Sequence, residues 1–285
     1  MTLKLPFIFA RRFVAGESFE QAAPKVKDLN NRNLPVTLDL LGENVSDRDL
    51  AANTVDEYIS LLKKIREYDL TSSISIKLTM MGLDISEEFA KENLFRLLDV
   101  AAKENQFVRI DMEGSDYTQV TLDIFKEAFE KYGKHVGIVI QSYLHRSKKD
   151  IEDLCEIDAD VRLCKGAYNE SPEVALQNMP EIREAFKEQA ALLMSKTSYT
   201  RIATHDDELI NWTKGFAEEQ NIGKDHFEIQ MLYGLRLGTC EQLVADGYNV
   251  RIYVPYGTMW VPYFTRRLRE RKENIWFILS TMFKR

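Results

Sequence analysis

The sequence predicts an α/β chain folded as a (β/α)8 TIM-type barrel. Three observations predict it. Eight short, β-rich apolar runs recur along the 285 residues. Each is followed by a longer amphipathic segment, and almost every run ends in a polar or charged side chain. Eight strand–helix units in roughly 250 residues is the count of that barrel. An open doubly wound sheet is the alternative. It would want a glycine-rich turn after its first strand, and Leu40-Leu-Gly-Glu-Asn44 lacks one.

The elements follow in order. Ser18-Phe-Glu-Gln21 starts a helix before the first strand, so residues 1–34 read as a helical extension, 35–272 as the barrel and 273–285 as a tail, all one catalytic domain. The strand candidates are 35–40, 74–78, 107–112, 136–141, 161–164, 199–204, 227–230 and 250–254. Their near-continuous apolar character suits parallel strands buried on both faces. Ser46-Asp-Arg-Asp49 opens a long helix ending near Tyr68. Ser147-Lys-Lys-Asp150 and Thr239-Cys-Glu-Gln242 resemble capping boxes. Ser171-Pro172 puts proline at a first helical position. Arg251 to Val254 is a strand, followed by a Pro-Gly loop and a last helix bearing Tyr263, Arg266, Arg267 and Glu270. Helical spacing gathers those four on neighbouring parts of one face. Glu270 neutralises one guanidinium, and the other is free to hold a small carboxylate in bidentate geometry.

Composition narrows the function. Hydrophobic residues are 45% and charged residues 29%, ordinary for a globular protein. The net charge of −7 gives no global electrostatic case for nucleic acid. Cys155, Cys164 and Cys240 are odd in number and scattered, which argues for a reducing, cytoplasmic compartment and against a disulfide framework or a structural zinc site. Leu5 to Ala10 is too short an apolar run for a signal peptide or a membrane span.

In a barrel, chemistry sits at the C-terminal strand ends. In strand order those ends carry Asp39 and Glu43; Lys77; Asp111 and Glu113; Gln141; Arg162 and Lys165; Thr204 and His205; Gln230; and Tyr253 and Tyr256. Burying so many polar groups costs free energy unless they pair with one another or with a ligand, so their convergence on one rim predicts a site. No metal constellation, P-loop, GxGxxG or GxSxG stands out. His135 and His226 precede strands at the opposite end, His145 reads as a loop residue, and only His205 is well placed. Arg162, Lys165, Gly166-Ala167 and Thr204-His205 could hold a cofactor in a barrel. Two chemistries remain open. Lys77 or Lys165 forms a Schiff base, as in barrel aldolases. Otherwise these lysines attend a bound anion or flavin, and the chemistry is hydride transfer.

Seven motifs occur in order: Ile76-Lys77-Leu78-Thr79, Arg109-Ile-Asp-Met-Glu113, Gln141-Ser-Tyr-Leu144, Arg162-Leu-Cys-Lys-Gly-Ala-Tyr168, Ala203-Thr-His205, Gln230-Met-Leu-Tyr-Gly234, and Tyr253-Val-Pro-Tyr-Gly257 with Arg266-Arg267. Together, from about Phe9 to Glu270, they resemble the proline dehydrogenase family, which also forms one domain of the bifunctional proline utilisation A proteins. The resemblance implies a distorted barrel with non-covalent FAD. It implies oxidation of L-proline to Δ1-pyrroline-5-carboxylate by hydride transfer from proline C5 to flavin N5, the first step of proline catabolism. Electrons pass to a membrane quinone, and a separate pyrroline-5-carboxylate dehydrogenase acts downstream, because no aldehyde dehydrogenase domain is expected. By the same resemblance, Asp111 and Arg162 are catalytic. Arg266, Arg267 and Lys77 bind the proline carboxylate, with Glu270 ion-paired among the arginines. Tyr168, Tyr253 and Tyr263 wall the ring. Met112, Gln141, Arg162, Lys165, Gly166, Ala167, Thr204 and His205 contact the flavin. The amine must be neutral to expel hydride, so the rate is expected to rise with pH. Residues 264–285 hold seven Lys/Arg against two Glu, with Trp276, Phe277 and Leu279. This suits either packing on the barrel wall or a peripheral position at the inner face of the membrane.

Overall fold

The computed structural model describes residue 7 and residues 10–270, with side chains up to Thr265. Eight parallel strands close into a barrel in strict chain order: β1 (Val36–Leu40), β2 (Ser72–Ile76), β3 (Val108–Ile110), β4 (Val136–Gln141), β5 (Val161–Cys164), β6 (Thr200–Ala203), β7 (Phe227–Leu232) and β8 (Asn249–Tyr256). Closure is made by β1 against β8, with Val36 opposite Ile252 and Leu40 opposite Tyr256. Helices alternate with the strands: α1 (Phe19–Asn31), α2 (Arg48–Glu67), α3 (Glu87–Lys103), α4 (Ser115–Tyr132), α5 (Ser147–Glu156), α6 (Met179–Lys196), α7 (Asp207–Glu219), α8 (Leu237–Ala245) and α9 (Trp260–Glu270). The fold class is therefore the one the sequence predicts.

The strands alternate rather than running apolar throughout. Val36, Leu38, Ile74, Ile76, Val108, Ile110, Val161, Leu163 and Ile229 are fully buried. The intervening positions bond across the barrel instead: Arg162 on β5 reaches Ser75 on β2, and Tyr253 on β8 reaches Asp111 beyond β3. Successive strand side chains point to opposite faces, so one set packs under the helices and the other fills the interior. That interior is charged. Arg109 and Arg201 bond Asp160, while Arg201 (2.5 Å) and Arg251 (2.9 Å) converge on Glu228 Oε1. Buried charges persist only when paired in this way.

Some boundaries differ from the sequence reading. β2 spans Ser72–Ile76, and Leu78–Met81 form a short 3-10 turn. The cap of α2 is Asp47, whose carboxylate accepts from the Leu50 amide at 2.8 Å. Ser147 caps nothing. Its hydroxyl donates to the Gln141 carbonyl at 2.6 Å, and Arg146 holds the cap position of α5. Thr239 lies inside α8, which starts after Arg236. Pro172 lies in a turn before α6. That helix is capped by Asn178, with Pro180 in its first turn.

Candidate active site

The C-terminal ends of the strands open into a cavity of about 1080 Å³. Every described residue for which the sequence gives a site role lines it: Lys77, Asp111, Met112, Gln141, Arg162, Lys165, Gly166, Ala167, Tyr168, Thr204, His205, Tyr253 and Tyr263. Asp39 and Gln230 line it as well. The side chains of Arg266, Arg267 and Glu270 lie outside the described residues, as does the structure of the tail beyond α9. Three strand-end residues do not line the cavity. Glu113 accepts from the Thr79 amide at 3.1 Å and its hydroxyl at 2.5 Å, bracing the turn after β2. Tyr256 belongs to the main hydrophobic core. Glu43 is also absent from the lining. His135, His145 and His226 lie elsewhere, His145 bonding the Pro172 carbonyl at 3.0 Å.

Each lining cation has a carboxylate partner. Lys77 Nζ lies 3.2 Å from Asp39 Oδ1, Arg162 Nη1 2.9 Å from Asp111 Oδ1, and Lys165 Nζ 3.0 Å from Asp206 Oδ2. Asp206 also accepts from Arg183 Nε at 2.9 Å. Burial works against the Lys77 charge, but Asp39, Asp111 and Glu113 outweigh it and hold the ammonium above its ordinary range. Burial pushes the Asp39 carboxyl up, and the Lys77 charge pulls it part of the way back. Tyr253 donates to Asp111 Oδ2 at 2.7 Å. Burial first, then the Asp111 charge, push its hydroxyl well above the usual tyrosine value, so it stays a donor. The Arg162 guanidinium sits over the Tyr253 ring, 5.2 Å from its centroid. Asp111 is thus clamped between strands β5 and β8.

The other wall is the loop after β5. Gly166 has φ +116°, a conformation that side chains resist, and a Cβ there would meet the Tyr143 ring at 2.2 Å. Tyr143 in turn donates to the Tyr168 carbonyl at 3.3 Å. Gln141 gives its amide nitrogen to the Glu113 carbonyl at 2.7 Å, which leaves its carbonyl oxygen as the acceptor of that side chain. Arg162 Nε is a buried donor with no hydrogen-bond partner among the described residues. Such a donor costs free energy unless a ligand satisfies it. Sequence reasoning missed Tyr143, Asp206 and Arg183. Only Asp206 carried a local signal, as an N-cap residue directly after His205.

A family model described as proline dehydrogenase matches residues 22–278. Proline dehydrogenase 2 of Bacillus subtilis (strain 168) is 42% identical over 278 residues, covering 98% of this chain and 91% of its own length. The proline dehydrogenase of Deinococcus radiodurans is 36% identical over 279 residues, covering 96% and 90%. Among solved structures, proline utilization A from Bdellovibrio bacteriovorus inactivated by N-propargylglycine matches with a TM-score of 0.85 at 27% identity. That match covers 93% of this chain and 32% of the larger one.

Proposed function

The chain belongs to the proline dehydrogenase family, and on that premise we propose that it oxidises L-proline to Δ1-pyrroline-5-carboxylate with a non-covalently held FAD. The observation that carries this reading is the convergence of Lys77, Asp111, Arg162, Lys165, Gly166, Tyr253 and Tyr263 on one cavity. The residues fit a flavin. Arg162 Nε, without a hydrogen-bond partner among the described residues, is a buried donor that a flavin oxygen or nitrogen would satisfy. Lys165 and the Gly166-Ala167 backbone line the same wall, with Thr204 and His205 beside them. Met112 and Gln141 complete the set. When bound, the flavin supplies a two-electron acceptor for the hydride of the ring carbon beside nitrogen.

The chain's own residues do the rest. Arg266, Arg267 and Lys77 hold the proline carboxylate, and Glu270 balances the arginine pair. Lys77 serves as a fixed charge because Asp39 keeps it protonated. Tyr168, Tyr253 and Tyr263 wall the ring and exclude water. Asp111 and Arg162 are the catalytic pair, with Asp111 fixing the pose of both Arg162 and Tyr253 through its two oxygens. Holding the reacting carbon in one orientation supplies catalysis through pre-paid entropy. Electrons leave to a quinone at a membrane surface, and the product passes to a separate dehydrogenase. No helix among the described residues is long and apolar enough to cross a membrane, so this reading brings the chain to that surface from one side.

A Schiff-base aldolase fits less well. Its lysine must shed a proton to attack a carbonyl, whereas Lys77 is held charged and Lys165 is paired with Asp206. An absorbance spectrum before and after anaerobic L-proline separates the two. A flavin band that bleaches with proline supports the dehydrogenase. No flavin band, together with inactivation by borohydride and a carbonyl substrate, overturns it.

A further inference from the structure

The segment ahead of α1 lies along the rim at the C-terminal ends of β7, β8 and β1 and packs against α9. Phe13 and Phe264 lie 6.3 Å apart by ring centroids, and Phe7 meets Trp260 edge-on at 5.8 Å. Ala10, Phe13, Val14, Leu41, Leu235, Trp260, Tyr263 and Phe264 form a cluster separate from the main core. Backbone bonds tie the segment to the end of β8: the Ala15 amide donates to the Pro255 carbonyl at 2.8 Å, and the Gly257 amide donates to the Gly16 carbonyl at 2.9 Å. The Trp260 indole donates to Glu17 Oε1 at 3.2 Å. On the far side, a Cβ at Gly234 (φ +76°) would sit 1.5 Å from the Arg12 carbonyl oxygen, so the segment lies directly on the β7–α8 loop.

α9 follows Gly257, a joint whose φ of +121° side chains rarely adopt. Beyond that joint, Thr258 and Met259 are exposed, while Trp260, Tyr263 and Phe264 are buried. The cluster therefore fixes the helix on one face, and Tyr263 belongs both to it and to the cavity lining. We propose that the segment 10–17 is a positioning element for the substrate: Phe13 and Glu17 act through Trp260 and Phe264 to hold α9, and with it Tyr263, in the pose that proline binding needs. The inference rests on the proposed function, which assigns Tyr263, Arg266, Arg267 and Glu270 on α9 to the substrate. The flavin-side residues stand on β3 to β6 and the loops after them. Loosening the clasp should therefore weaken proline binding more than it slows turnover of bound proline.

The test is steady-state kinetics with L-proline on flavin-loaded Phe13→Ala, Phe13→Leu and Glu17→Ala, alongside flavin content and thermal midpoint. Binding lost equally from ground and transition states raises KM and spares kcat, so Phe13→Ala is expected to raise KM about tenfold with kcat changed less than about twofold. Phe13→Leu should restore most of the KM, and Glu17→Ala should raise it by a smaller factor. Flavin content should not change. In the wild type, tryptic cleavage after Arg11 and Arg12 should slow when L-proline is added. If Phe13→Ala fails to fold, the other two variants decide. Unchanged KM in those variants, or a fall in kcat alone, overturns the clasp while leaving the dehydrogenase reading intact. A flavin-loaded wild type indifferent to proline overturns both.

Discussion

Tyr253 shows how one side chain takes its role from its neighbours. Its ring lies under the Arg162 guanidinium and its hydroxyl donates to Asp111. Tyr253→Phe keeps the ring and removes the donor, leaving Asp111 Oδ2 short of a partner. A lost bond to a charged group is worth about 1.5–3 kcal/mol, so Tyr253→Phe should lose about that much stability, and kcat/KM for L-proline should fall as Asp111 loosens. Steady-state assay with a parallel melting curve checks this. A variant as active as wild type would mean that Asp111 is not held by Tyr253 during turnover. Asp111, Arg162 and Tyr253 were each legible as polar residues ending apolar runs. Their mutual bonds were not, because the three stand on strands β3, β5 and β8 and meet only across the closed barrel. Arg183 left no signal at all, since it lies on a helix and reaches Asp206 from outside the strand ends.

At the scale of the element, the loop after β5 does more than join a strand to a helix. Residues 165–170, with Leu176 and Gln177, wall the cavity before α6 begins at Met179, and Gly166 lets the loop pass against Tyr143. Gly166→Ala combines a disfavoured φ with a Cβ in contact with an aromatic ring. It should destabilise the fold by more than about 2 kcal/mol and lower flavin content in the purified protein. Denaturant unfolding and the ratio of flavin to protein absorbance measure both. Retention of full stability and flavin would show that the loop can move aside. All eight strands were legible in sequence, with the bounds of β2, β3, β7 and β8 off by two or more residues at one end or both, since apolar runs are a local signal. The caps of α5, α6 and α8 were not, because Ser147, Ser171 and Thr239 match a local pattern that other bonds override. Ser147 spends its hydroxyl on the Gln141 carbonyl, which steadies the strand end that carries a cavity residue.

Across the whole molecule, the barrel interior is an ion network rather than layers of branched side chains. Burial raises the Glu228 carboxyl, but Arg251 and Arg201 outweigh it and bring it from 4.5 to about 2. A group depressed in the folded state contributes fully above its unfolded value and loses that contribution as pH falls through its folded value. Stability to urea should therefore decline as pH drops from about 4.5 towards 2, with Glu228 alone accounting for about 3 kcal/mol. Glu228→Gln should be less stable at pH 7 and show a flatter acid limb, because breaking a buried pair strands Arg201 and Arg251. Equal acid limbs in the two proteins would remove Glu228 as the cause.

The sequence alone determined the barrel, the order of its strands and the strand ends that face the cavity. These depend on apolar runs followed by amphipathic segments and on the rule that parallel strands separated by helices wind one way round. The tertiary structure alone decided how charge is paired: Lys77 to Asp39, Arg162 to Asp111, Lys165 to Asp206, and Arg251 to Glu228. It also decided that residues 10–17 lie against α9, some 250 residues further along the chain. The reason is physical. Period and propensity act between near neighbours in sequence, whereas ion pairs and packed rings depend on distances that exist only once the barrel has closed.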